Sequence, residues 1–147
     1  MSIKAKLDTD VKTALKSKDA AAVSALRLLI NAINNEELKG RDKLDDAAVI
    51  GVLSTQAKQR RESIEAFENA GRTELAEKEK RELEIILNYL PKQLSSEELE
   101  KLVDEAVAET GATAPKDMGK VMKILKPKTA GRADGKVVSE KVKEKLS

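Results

Sequence analysis

Apolar residues along this chain return every three or four positions, and no segment alternates strictly between apolar and polar. That spacing draws one apolar stripe down a 3.6-residue helix and denies a strand its single buried face. An all-α protein without a sheet is therefore expected. Ile3, Leu7, Val11 and Ala14/Leu15 make the first stripe. Asp19 is placed to cap a second helix carrying Val23, Leu26, Ile30 and Ile33, which should end near Gly40. Asp45 or Asp46 caps a third, with Ile50, Leu53, Ala57, Ile64 and Phe67 inward and Gly71 as its stop. A fourth helix is expected from about Thr73 to Leu90, facing inward with Leu75, Leu83, Ile86, Leu87 and Leu90 until Pro91 ends it.

Beyond Pro91 the signals restart. Ser95 and Glu98 have capping-box spacing, and Leu99, Leu102, Val103, Ala106 and Val107 follow before Gly111 stops the helix. Pro115 suits the start of a sixth helix with Met118, Val121, Met122 and Leu125 on its apolar face, and Pro127 should end it. Asp134 caps a last helix with Val138, Val142 and Leu146. The expected organisation is a four-helix N-terminal domain over residues 1–90, a linker at 91–94 and a three-helix C-terminal domain over 95–147. The smaller unit has less to bury and should be the less stable.

Composition narrows the chemistry. Among 147 residues there is no His, Cys or Trp. Zinc and haem sites built on those ligands, disulfides, and Ser–His or Cys–His nucleophile pairs are all excluded. No nucleophile, base and oxyanion hole assemble from what remains, so the chain reads as non-catalytic on its own, without metal or cofactor. The densest acid group, Asp42, Asp45 and Asp46, sits at a helix start where the dipole favours carboxylates. Two aromatics, Phe67 and Tyr89, are too few for a base-stacking platform. At 37% charged residues disorder is a rival, but the apolar spacing is too regular for it. No apolar run approaches the ~18 residues of a membrane span, and Met1 to Asp10 lack the apolar centre of a secretory signal. With no Cys to oxidise, a cytoplasmic location is expected.

The formal net charge of +2 hides an uneven distribution. Residues 91–112 hold two Lys and six acids, and residues 113–147 hold ten basic residues and four acids. Lys116, Lys120 and Lys123 recur at helical spacing, Lys126 and Lys128 continue the series, and Arg132 and Lys136 flank the next turn. These seven cations suit a phosphate backbone, although the same pattern describes an ordinary solvated face. Gly131-Arg132-Ala133-Asp134-Gly135 is a tight turn into a helix, open either to phosphate contact through free N–H groups or to plain capping. It is no nucleotide loop, because its glycines stand too close and Val137 follows Lys136. Two further groups stand out in the first domain. Ser24, Arg27, Asn31 and Asn34 form a polar stripe, either an interaction surface or a solvent face. Lys58, Arg60 and Arg61 make a basic knot expected to pair with Glu62 and Glu65.

Several stretches resemble the YqeY family: Ala25-Leu-Arg-Leu-Leu-Ile-Asn-Ala-Ile33, Lys58-Gln-Arg-Arg-Glu-Ser63, Phe67-Glu-Asn-Ala-Gly-Arg72, Tyr89-Leu-Pro-Lys-Gln-Leu94, Met118-Gly-Lys-Val-Met-Lys123, and Gly131-Arg-Ala-Asp-Gly135 followed by Val138-Ser139. They run in order over essentially the whole chain. That family is similar to the C-terminal tail of GatB, a component of the tRNA-dependent amidotransferase, the enzyme that converts misacylated Glu-tRNA(Gln) or Asp-tRNA(Asn) to the amide. The resemblance implies an all-helical two-part protein, tRNA contact through the C-terminal unit, and a family-level link to carbon–nitrogen ligase activity with glutamine as amide donor. It brings Lys120, Lys123 and Arg132 inside matching motifs.

Two functions follow as expectations. One is a tRNA-binding accessory module that serves an aminoacyl-tRNA-handling enzyme. The other is a protein-interaction adaptor with no nucleic-acid role, docking through amphipathic helices and the face of Arg27, Asn31 and Asn34.

Overall fold

A computed structural model describes residues 1–40 and 42–147. Those residues form seven α-helices and one 3₁₀ turn, with no strand among them, as the periodicity requires. They divide into two compact units, Met1–Leu90 and Pro91–Ser147.

The first unit holds α1 (Ile3–Lys16), α2 (Ala20–Gly40), α3 (Asp46–Asn69) and α4 (Thr73–Leu87). Side-chain caps start the first three helices. The Ser2 hydroxyl accepts from the Ala5 amide (3.1 Å), Asp19 from Ala22 (3.1 Å) and Asp45 from Ala48 (2.9 Å). Asp46 does something local sequence does not reveal. Its Oδ1 accepts from the Ile3 amide at 3.0 Å, which ties the start of α3 to the start of α1. The core is Leu7, Ala14, Val23, Leu26, Leu29, Ile33, Val49, Leu53, Ala57 and Ile86.

Several inward assignments need correction. Leu15 and Leu75 face solvent, because Ala14 and Ala76 take the inward positions beside them. Val49, not Ile50, is the fully buried residue of its turn. α4 stops at Leu87, and the chain tightens into i→i+3 bonds from Asn88, Tyr89 and Leu90 to Ile85, Ile86 and Leu87. The residue before a proline disfavours α geometry, so the helix unwinds ahead of Pro91. Within the basic knot, Arg60 is wired differently. Arg60 reaches across to α4, with Nε 3.2 Å from Glu79 and Nη1 3.1 Å from Glu82. Glu82 is buried there, and Glu62 lies on an exposed part of α3.

The second unit holds α5 (Ser96–Thr110), a 3₁₀ turn (Pro115–Asp117), α6 (Met118–Thr129) and α7 (Gly135–Leu146). Ser95 and Glu98 form the full capping box. Gly111 ends α5 at φ +67°, a left-handed conformation that costs a side-chain-bearing residue. The core is Leu99, Val103, Ala106, Val121, Leu125, Val138, Val142 and Leu146.

Pro127 does not stop its helix. α6 continues through it to Thr129. Pro127 and Lys123 are both exposed, so the carbonyl deprived of a partner lies toward water. The last turn is held by the Ala130 amide on the Lys126 carbonyl (3.0 Å) and by the buried Thr129 hydroxyl on the Leu125 carbonyl (2.9 Å). Residues 91–94 are fastened to the turn between α6 and α7. Gln93 Nε2 donates to the Gly131 carbonyl (2.7 Å), the Leu94 amide to the Arg132 carbonyl (2.9 Å), and Arg132 Nε to the Lys92 carbonyl (3.1 Å).

Candidate nucleic-acid interface

On α6, Val121 and Leu125 define the buried direction. At about 100° per residue, Lys120 and Lys123 fall on the opposite face. Lys116, in the 3₁₀ turn just before the helix, continues the same line. Lys126 stands at the edge of that face, and Lys128 emerges on the other flank. All five are exposed, and none makes an ion pair within the unit among the described residues. The one acid in their midst is Asp117. Its Oδ2 accepts from the Thr113 amide at 3.1 Å. That bond, with the Ala114 amide and the nearby Lys120 and Lys116, outweighs desolvation and holds its carboxyl below the usual range.

The remaining two cations differ from these. Arg132 is half-buried, and its Nε is engaged by the Lys92 carbonyl, so it positions the 91–94 strap as well as presenting charge. Lys136 is exposed in the first turn of α7, where its own amide donates to the capping carboxylate of Asp134 (3.1 Å). Plain capping therefore accounts for Asp134 in the Gly131–Gly135 turn. Gly131 supplies the positive φ of +73°.

In the first unit the polar stripe on α2 is divided. Ser24, Arg27 and Asn31 line an open groove of about 640 Å³ with Leu15, Lys18, Ala20, Val23 and Leu28. Asn34 lines separate depressions, one with Lys4 and Asp8 and another with Glu37 and Leu38. The exposed Leu15 and Leu28 beside that stripe are not apparent from periodicity, which assigns Leu15 to the core. Among the described residues no cluster of three acids is arranged to hold a metal. Asp45 and Asp46 are engaged by backbone amides instead. No helix among these residues is long and apolar enough to cross a membrane.

The fold and surface define a two-unit all-helical protein with a basic face on its C-terminal unit. The chain belongs to the YqeY family, whose description, Yqey-like protein, matches residues 4–146. It is also similar to fungal proteins called Altered inheritance of mitochondria protein 41, mitochondrial. Identity is 34% to that of Pyrenophora tritici-repentis, over 95% of this chain and 78% of the relative. It is 37% to that of Eremothecium gossypii, over 74% and 61%. It is 39% to that of Lachancea thermotolerans, over 58% and 46%. The matched region thus spans less than two-thirds of the last two relatives. These names correct the expectation of a cytoplasmic location, since the relatives are designated mitochondrial. A lack of Cys does not distinguish one reducing compartment from another.

Proposed function

We propose that the C-terminal unit contacts the phosphate backbone of tRNA, and that the protein is a non-catalytic accessory to an aminoacyl-tRNA-handling enzyme. The observation that carries this reading is the row Lys116, Lys120 and Lys123, exposed opposite the core of its unit and free of ion pairs there. Lys126 and Lys136 extend the positive surface. Lys128 and Arg132 contribute at its margins. Resemblance to the amidotransferase tail selects tRNA among polyanions and supplies the association with amide transfer from glutamine. With one Tyr and one Phe in the chain, recognition rests on backbone and shape, not on stacked bases.

The test is binding of the purified protein to total tRNA and to a DNA duplex of matched charge, over a series of salt concentrations. Four phosphate contacts give a log–log salt slope of roughly −3 to −4. The double variant Lys120→Glu/Lys123→Glu should flatten that slope by about two while leaving the melting temperature unchanged. Equal weak binding to both polyanions, or an unchanged slope in the variant, overturns the proposal. A second reading, the protein-interaction adaptor, is favoured by one specific observation: the partly apolar groove at the closed end of the α1–α2 hairpin.

A further inference from the structure

The groove at the turn between α1 and α2 has a floor and flank of Leu15, Val23 and Leu28. Leu15 and Leu28 remain 49% and 45% exposed, unusual for leucines at positions where neighbouring helices meet. Lys18 and Arg27 stand on its rim, and no acid lines it. Asp19, next to Lys18 in the chain, is turned to the Ala22 amide as the cap of α2. The side chains of Lys18, Arg27, Ser24 and Asn31 make no hydrogen bond or ion pair among the described residues. Elsewhere in the unit Lys4, Arg60 and Lys80 are paired with acids on other helices.

Lys18 adds a backbone observation. It is the one non-glycine residue with positive φ, +58°, among the described residues. A side chain at such a position is strained where glycine would be relaxed. That conformation closes the end of α1, where the Asp19 amide bonds the Ala14 carbonyl at 3.0 Å, and the lysine lines the groove from there.

We infer that this groove docks an acidic amphipathic segment of a partner protein, an aliphatic side chain resting on Leu15, Val23 and Leu28 while carboxylates meet Lys18 and Arg27. The inference rests on the adaptor reading of this face and is independent of RNA contact by the second unit. Charge complementarity selects the occupant. Two cations separated by apolar surface suit a helix with an acid beside an aliphatic anchor. A phosphate backbone would leave the leucines uncovered. A second copy of this chain is a poor match through its most acidic helix, α5, because Leu99, Val103 and Ala106 are buried in their own core.

The experiment selects a displayed library of random 16-residue peptides on the full chain, then measures resynthesised fluorescein-labelled winners by anisotropy. Winners should carry at least two carboxylates within one helical turn of Leu, Ile or Phe. Arg27→Glu and Leu28→Ser should each weaken them roughly tenfold, while Lys120→Glu leaves them unchanged. Lys18→Gly separates docking from folding, because it relieves the positive φ. It should hold or raise the melting temperature and still weaken the peptide. The inference is overturned by an absence of winners, by winners lacking carboxylates, or by winners indifferent to these variants. It is equally overturned if Leu28→Ser dissociates a dimer of the chain, or if Arg27→Glu, not Lys120→Glu, abolishes tRNA binding. Loss of tRNA binding in Lys120→Glu/Lys123→Glu bears only on the second unit.

Discussion

The two units spend their charged residues differently. In the first, ion pairs tie each helix to the next along the chain, α1 to α2 and α3 to α4. Lys4 pairs with Glu37, Arg60 with Glu79 and Glu82, and Lys80 with Glu68. Tyr89 donates to Asp10 at 2.5 Å while Lys6 lies over its ring. In the second, Lys145 with Glu100 and Asp104 makes the ion pairs found among the described residues. There the turns set the geometry, through the Ser95–Glu98 box, Gly111, Asp117 on Thr113 and the Gln93–Gly131 bond. The other cations of this unit make no ion pair among the described residues and stay available to solvent or to a ligand.

The largest effect that can break this comparison comes from the cores. Leu125→Ala should cost about 2–5 kcal/mol, a large fraction of what a unit below ~60 residues can hold. Hydrogen exchange should then show α6 and α7 amides losing protection while α2 and α3 keep theirs. Leu53→Ala removes the same atoms from the larger unit and should lower its denaturation midpoint without unfolding it. If either substitution strips protection from both units together, they are one cooperative body, and the contrast in how they are held has no energetic meaning.

Next come the charges. Arg60→Met leaves Glu79 and Glu82 facing each other in a half-buried site and should cost about 2 kcal/mol by urea denaturation. Glu82→Met keeps Arg60 beside Glu79 and covers it with apolar surface, so it should be within ~1 kcal/mol of neutral. In the second unit the contrast reverses. Lys120→Glu and Lys123→Glu should alter stability by no more than ~0.5 kcal/mol. There the costly change is in a turn, where Gly111→Ala should lose about 1 kcal/mol because of its positive φ. A stability loss at Lys120 matching that at Arg60 would erase the distinction.

These differences also mark what the sequence could reveal. Caps and stops act within four residues, so Asp19, Asp45, Ser95, Gly111 and Asp134 are all legible from spacing. Pro127 is the exception, because whether a proline ends a helix depends on what holds the turn beyond it, here the buried Thr129. Pairings across helices are not legible. Nothing near Arg60 in sequence points to Glu82 rather than Glu62, nor anything near Asp46 to the Ile3 amide. The candidate surfaces divide the same way. The Lys116–Lys120–Lys123 row is a local pattern of one short stretch of chain, visible in its spacing. The α1–α2 groove needs two helices, and Leu15 looks like core until α2 is seen to leave it half uncovered.

The smallest expected effect is a difference in pH response, which sharpens the comparison without breaking it. Glu98 is held below the usual carboxylate range first by the Ser95 amide and then by its hydroxyl, and Asp117 first by the Thr113 amide. In the first unit Glu37 is held down, chiefly by Lys4 and the Leu44 amide. A lowered pKa gives stability that is fully present above the unfolded carboxylate value near ~4 and is lost as pH falls through the folded one. Two of these three groups fasten turns of the second unit, so acid should loosen that unit first. Alkali acts with the opposite sign. Burial and the bond to Asp10 raise the Tyr89 phenol, so its contribution is present below ~10 and disappears above. Lys145, raised chiefly by Asp104, behaves likewise in the second unit. Hydrogen exchange between pH 5 and 3 should show α5 and α6 losing protection before α2, and Ser95→Ala should shrink that gap by removing the hydroxyl that helps to lower Glu98. An α2 that opens first on acidification would mean that the Lys4–Glu37 tie outweighs the turns, and that charge, not capping, governs both units.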